Sequence, residues 1–111
     1  MGPLMVVTGF SQGAAMAFRA AACLGRPVAG VITCGGDVPP ELDTQALARI
    51  PIALIGRGAR DDWYSAEKLA SDEQRLRAAG VAVQTVVLDA SHQWTLEFGE
   101  VCAQFLQKRG Q

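Results

Sequence analysis

Four short apolar runs, separated by helix-forming segments, constrain this chain more than any other feature. Val28-Ala29-Gly30-Val31-Ile32-Thr33-Cys34 and Pro51-Ile52-Ala53-Leu54-Ile55 show no polar alternation. Strands of this kind are covered on both faces, as in a parallel sheet flanked by helices. Leu4–Thr8 and Val81–Leu88 supply two further β-rich runs. The first helical segment begins at or just after Ser11 and runs to about Cys23. Its apolar residues cover nearly every face, so it is expected to be well buried. Gly25 stops it and Pro27 prevents its resumption. Asp43 or Thr44 caps a short helix to about Arg49. Ser65 caps a longer one that runs to Ala79, with Ala66, Leu69, Ala70, Leu76 and Ala79 toward one face and Gly80 as its stop. The last spans about Thr95 to Lys108, where Phe98, Val101, Cys102 and Phe105 fall at i, i+3, i+4 and i+7. The order β-α-β-α-β-α-β-α predicts an α/β fold: a parallel sheet of about four strands with alternating helices and right-handed crossovers.

The 111 residues suffice for one domain, 1–111, and are too few for two. Half the residues are hydrophobic, 19% are charged, and the net charge is −1. That composition belongs to a globular chain and not to a disordered one. There is no basic stripe interleaved with aromatics, so nucleic acid is not an expected partner. No apolar run approaches the length that spans a bilayer, so no membrane partner is expected either. Cys23, Cys34 and Cys102 are odd in number, widely spaced and free of any C-x-x-C pair. They point to reduced, mostly buried thiols and a cytoplasmic setting. His92 is the single histidine, which argues against a histidine-built zinc site; no metal or other cofactor is expected.

Chemistry enters with Gly9-Phe10-Ser11-Gln12-Gly13, a G-x-S-x-G pattern. A strand precedes it and a strong helix former follows. A tight strand-to-helix turn of this kind holds a serine in a strained conformation with its hydroxyl exposed. Glycine on both sides is expected to let strand and helix pass closely without a Cβ clash. The helix N-terminus then points at the hydroxyl and favours developing negative charge. A neutral serine needs a base within hydrogen-bond reach, and the base needs a group that holds its tautomer. His92, after the last strand, is the only histidine for the first task. The Asp61-Asp62 pair, after the strand between, offers a carboxylate for the second; Asp89 competes with it from a position closer in sequence to His92. In parallel sheets reacting groups gather outside the carboxyl ends of strands, and Ser11, Asp61/Asp62 and His92 all follow such ends. Phe10, Trp63 and Trp94 lie near these groups in sequence. Phe10 and Trp63 are candidate walls of an acyl pocket, while Trp94 is expected to pack beneath the loops. The stretch Gly35 to Pro40 is the one candidate for a covering loop.

The chain order Ser, Asp, His is that of the α/β-hydrolases, and the chain resembles their carboxyl-terminal half. It is most similar to the phospholipase/carboxylesterase and dienelactone-hydrolase-like branch, where Gly-Phe-Ser-Gln-Gly is a common form of the elbow. Gly58-Ala59-Arg60-Asp61 resembles the family's G-x-x-D segment, which implies Asp61 as the triad acid. Asp89-Ala90-Ser91-His92 resembles the loop that carries the triad histidine. The resemblance implies a serine hydrolase acting on small carboxylic esters, with Ser11, His92 and Asp61 as catalytic residues and the Gln12 N–H as an oxyanion donor. A thioesterase, lactonase or perhydrolase would share the triad; a non-catalytic, associating scaffold is the reading from another class. The resemblance covers nearly the whole chain but only the fifth to eighth of the family's usual eight strands. The loop that normally gives a second oxyanion donor lies outside that portion. The first strand would then be an exposed edge, and association, as in a homo-oligomer covering it, or a missing partner segment is the expected remedy.

Overall fold

The structure, a computed structural model, describes residues 6–23 and 28–109. Its elements are β1 (Val6–Phe10), α1 (Gln12–Cys23), β2 (Gly30–Cys34), α2 (Thr44–Leu47), β3 (Ile52–Gly58), α3 (Ala66–Ala78), β4 (Ala82–Leu88) and α4 (Leu96–Arg109). The strands form one parallel sheet in the order β1-β2-β3-β4. The α/β alternation and the parallel sheet expected from the apolar runs are both present.

Strand parity divides the core. Val31, Ala53 and Ile55 face Phe18 and Ala21 of α1, Leu47 of α2, and Leu69 and Leu76 of α3. Ile32, Cys34, Ile52 and Leu54 face Phe98, Cys102 and Phe105 of α4. Each fully buried phenylalanine removes enough apolar surface to contribute roughly 1.5–3 kcal/mol. The central strands β2 and β3 are buried at every position. β1 and β4 are the edges and are only partly covered.

Local chemistry sets the ends of the helices. The Asp43 carboxylate accepts from the Ala46 N–H at 2.8 Å, Ser65 Oγ from the Lys68 N–H at 3.2 Å, and Thr95 Oγ1 from the Phe98 N–H at 3.1 Å. Each satisfies a donor that the first helical turn leaves unpaired. Gly80, at φ 88°, closes α3: its N–H donates to the Arg77 carbonyl and the Val81 N–H to the Leu76 carbonyl. That pair of bonds is the Schellman arrangement, which favours glycine at the left-handed position.

Several expectations need correction. β3 does not end at Ile55; Gly56, Arg57 and Gly58 continue the ladder opposite Val86, Val87 and Leu88. β1 likewise continues through Gly9 and Phe10, β2 starts at Gly30 and β4 at Ala82. α2 stops at Leu47, short of Arg49. α1 is buried on one face only, through Ala14, Ala17, Phe18, Ala21 and Ala22, and Met16 is 60% exposed. On α3, Ala66 and Ala70 are exposed and Asp72 is buried between Leu69 and Leu76. The first strand's start at Leu4 and the helix stop at Gly25 and Pro27 lie outside the described residues.

The elbow needs only one of its two glycines for clearance. A Cβ on Gly9 would lie 2.1 Å from the Gly13 carbonyl oxygen, whereas a Cβ on Gly13 meets nothing within 4 Å. Gly9→Ala is therefore expected to lower stability by about 1–3 kcal/mol, the usual cost of forcing atoms into filled space. Gly13→Ala should remain within roughly 1 kcal/mol of the parent. Urea unfolding of the two variants checks this; equal losses would contradict it.

Candidate active site

Ser11 follows directly on β1 and adopts φ 59°, the only positive φ at a non-glycine among the described residues. Its N–H donates to the Cys34 carbonyl at 2.9 Å, and its carbonyl accepts from the Ala14 N–H at 3.0 Å. Gly36 leaves no room for a side chain beside it: a Cβ there would sit 2.2 Å from the Ser11 carbonyl oxygen. α1 begins at Gln12, so the Gln12 N–H has no carbonyl one helical turn earlier to accept it.

His92 reaches Ser11 from the far side of the sheet. β1 and β4 are three strand spacings apart, roughly 14 Å, so the loop after β4 must bend back over the strand ends. The β3–β4 pairing extends past the strands to anchor that loop. The Ala59 N–H donates to the Leu88 carbonyl at 2.7 Å and the Arg60 N–H to the Ala90 carbonyl at 2.9 Å. Gly58 permits the approach, since a Cβ on it would lie 2.1 Å from the Ser91 carbonyl oxygen. The imidazole is held between Phe10, at 5.0 Å between ring centroids, and Trp63, edge-on at 5.3 Å. Below it Gly35, at φ 71°, presents bare backbone to the ring.

The result is a continuous hydrogen-bonded line. His92 Nε2 lies 2.8 Å from Ser11 Oγ, and His92 Nδ1 lies 2.7 Å from Asp61 Oδ2. Asp61 Oδ1 accepts from the N–H groups of Trp63 and Tyr64, both at 2.9 Å. Arg57, buried on β3, fixes the same turn by donating to the carbonyls of Tyr64 and Asp61 at 3.0 and 3.2 Å. Burial pushes the Asp61 carboxyl up, but the Tyr64 N–H and His92 outweigh it, so the group is held below the ordinary aspartate value. Cys34, close by at the end of β2, is pushed up to about 12, chiefly by burial, and stays a neutral thiol.

An open cleft of about 750 Å³ lies over this line, walled by Phe10, Gln12, Gly13, Asp62, Trp63 and Ser91. Ser11, Asp61, His92, Gln12, Phe10 and Trp63, the residues singled out in the sequence, thus meet in one place. Trp63 and Phe10 hold the imidazole as well as lining the cleft. Trp94 does not reach the cleft; it stacks edge-on against Phe98 at 4.7 Å and stays 41% exposed, so it is only partly tucked beneath the loops. Asp89 does not compete for His92, because it pairs with Arg60 at the surface. The 35–40 stretch is not a cover. It is fastened down by the Val38 N–H to Asp72 and by Arg75 to the carbonyls of Val38 and Pro39; none of it lines this cleft, and Asp37 alone lines a smaller adjoining hollow beside Ser11, Gln12 and Trp63. Arg57, Tyr64 and Asp72 support the site and carried no motif signal.

Comparison with solved structures places this architecture among α/β-hydrolase folds. Esterase PE8 superposes with a TM-score of 0.79 at 25% identity, covering 97% of this chain and 52% of its own. The Bacillus cereus carboxylesterase gives 0.76 at 20% identity, with 94% and 49% covered. Zea mays acyl-protein thioesterase 2 gives 0.77 at 20% identity, with 98% and 58% covered. The chain therefore spans about half the length of the structures it matches. The phospholipase/carboxylesterase family model matches residues 4–109, and the chain belongs to that family. No curated protein sequence matches it.

The depressed Asp61 carboxyl makes stability depend on pH in a defined direction. Its contribution is complete above the unfolded aspartate value of about 3.9 and is lost as pH falls through the lower folded value. The stability difference between the parent and Asp61→Asn should shrink as pH falls below about 4. Urea unfolding from neutral pH into that range measures it. A difference that stays constant through the acid range would contradict the assignment.

Proposed function

We propose that the protein is a serine hydrolase that cleaves small carboxylic esters through an acyl-enzyme on Ser11. The observation that carries this reading is the unbroken line Ser11 Oγ–His92–Asp61, with contacts of 2.8 and 2.7 Å. With Nδ1–H donated to Asp61, Nε2 carries the lone pair that a general base requires. His92 takes the Ser11 proton as Oγ attacks the ester carbonyl. The carbonyl oxygen gathers negative charge near the Gln12 N–H at the start of α1. Collapse of the tetrahedral species expels the alcohol, protonated by His92. Water, deprotonated by His92, then attacks the acyl carbon, and Ser11 recovers its proton. Asp61 orients the imidazole and stabilises its charged form throughout.

Substrate size follows from the open cleft and from the fastened 35–40 stretch, which favour short or exposed acyl groups. Thioesters and lactones enter the same acyl-enzyme and are secondary substrates in this proposal. A cytoplasmic setting is part of it too, and rests on the three unpaired thiols Cys23, Cys34 and Cys102.

Hydrolysis of a chromogenic short-chain ester by the full 111-residue chain tests the proposal. Ser11→Ala and His92→Ala are each expected to lower kcat by at least about 10³-fold, because the two act as a unit. A folded parent chain with no Ser11-dependent turnover would contradict it and favour a non-catalytic scaffold.

A further inference from the structure

We infer that Tyr64 and Asp72 form a buried anchor that positions the Asp61 carboxylate and the 35–40 stretch around Ser11; the use of that position rests on the function proposed above. Tyr64 is fully buried, and its hydroxyl donates to Asp72 Oδ2 at 2.7 Å. The same carboxylate oxygen accepts from the Val38 N–H at 3.2 Å. One buried group on α3 therefore ties together two loops that leave different strands.

Each tie leads on to the reactive line. Through Tyr64 it reaches the acid, because the Tyr64 N–H is one of the two donors on Asp61 Oδ1. Arg57 completes that turn by holding the carbonyls on either side of it. Through Val38 it reaches the serine and the histidine. Gly36 packs on the Ser11 carbonyl, and Gly35 packs under the His92 ring. Arg75, one turn along α3, fastens the same stretch by donating to the carbonyls of Val38, Pro39 and Leu42.

Helix packing alone does not explain an aspartate at this place. Asp72 lies on the buried face between Leu69 and Leu76, where a leucine would fill the space without cost in desolvation. Burial pushes its carboxyl up, and the Tyr64 hydroxyl and Val38 N–H offset only part of that. A polar group kept in such a place and bonded to two loops is a positioning device. Neither residue lines the cleft over Ser11, so both act through Asp61, Ser11 and His92.

The test uses three variants of the full chain. Tyr64→Phe keeps the ring in the core and removes only the hydroxyl. Asp72→Leu removes both ties. Asp72→Asn keeps an oxygen that can accept both. Tyr64→Phe and Asp72→Leu are expected to lower kcat for the short-chain ester by about tenfold or more, with KM within about twofold, since small misplacements of reacting groups cost up to ~10²-fold. Asp72→Asn should restore most of the rate. The far-downfield proton of the His92 Nδ1–H bond to Asp61, followed by NMR, should shift or broaden in the first two variants and not in the third. Tyr64→Phe decides the matter if Asp72→Leu does not fold. Unchanged kcat and an unchanged proton resonance in folded Tyr64→Phe would overturn the inference. A parent chain without turnover would count against the function proposed above, and the NMR signal would still report on the anchor.

Discussion

The backbone of Ser11 is the constraint on which the rest of the site depends. A non-glycine residue in the left-handed region costs on the order of 1–2 kcal/mol and persists only where its surroundings leave no alternative. Here those surroundings are specific. β2 takes the Ser11 N–H, the first turn of α1 takes its carbonyl, and Gly36 closes against that carbonyl from the side. Gly9 lets the turn fold onto the Gly13 carbonyl. The hydroxyl is thus presented by a rigid strand-to-helix junction and not by a loop free to rearrange.

The other two groups of the line reach Ser11 by different physical means. Asp61 is placed by a short turn in which the Trp63 and Tyr64 N–H groups bind its carboxylate and Arg57 holds the Asp61 and Tyr64 carbonyls. His92 is placed by a loop that crosses the strand ends, guided by the extended pairing with residues 59 and 60 and by the rings of Phe10 and Trp63. A buried, charged carboxylate behind a half-exposed imidazole is the electrostatic pattern that stabilises positive charge on the ring when a proton arrives. In the proposed reaction that charge appears as the serine attacks, opposite the negative charge that gathers at the start of α1.

Much of this was legible in the sequence because it was written in local signals. The apolar runs marked the strands, Ser65 and Gly80 marked the limits of α3, and the Phe98–Phe105 stripe marked the face of α4 that meets the sheet. Ser11 and His92 were identifiable because each follows a strand end, whereas the choice of Asp61 over Asp62 and Asp89 came from the resemblance of Gly58–Asp61 to the family's G-x-x-D segment. Other features were hidden because they depend on distant partners. Gly56, Arg57 and Gly58 carry the composition of a loop, yet they continue β3. Gly56 makes room for the Phe98 ring, Gly58 makes room for the Ser91 carbonyl, and Arg57 spends its donors on the following turn. Asp72 breaks the apolar periodicity of α3 for the sake of Tyr64 and Val38, which no helical pattern records. Gly35 to Pro40 had the look of a free loop because its fastenings come from α3, more than thirty residues away.

In the proposed function Ser11 is a poised nucleophile. Treating the purified 111-residue protein with a fluorophosphonate, then reading intact mass and mapping the modified peptide, tests it most directly. One adduct per chain is expected, located on Ser11 and absent from Ser11→Ala. A folded chain that takes up no adduct, or takes it up elsewhere, would contradict it.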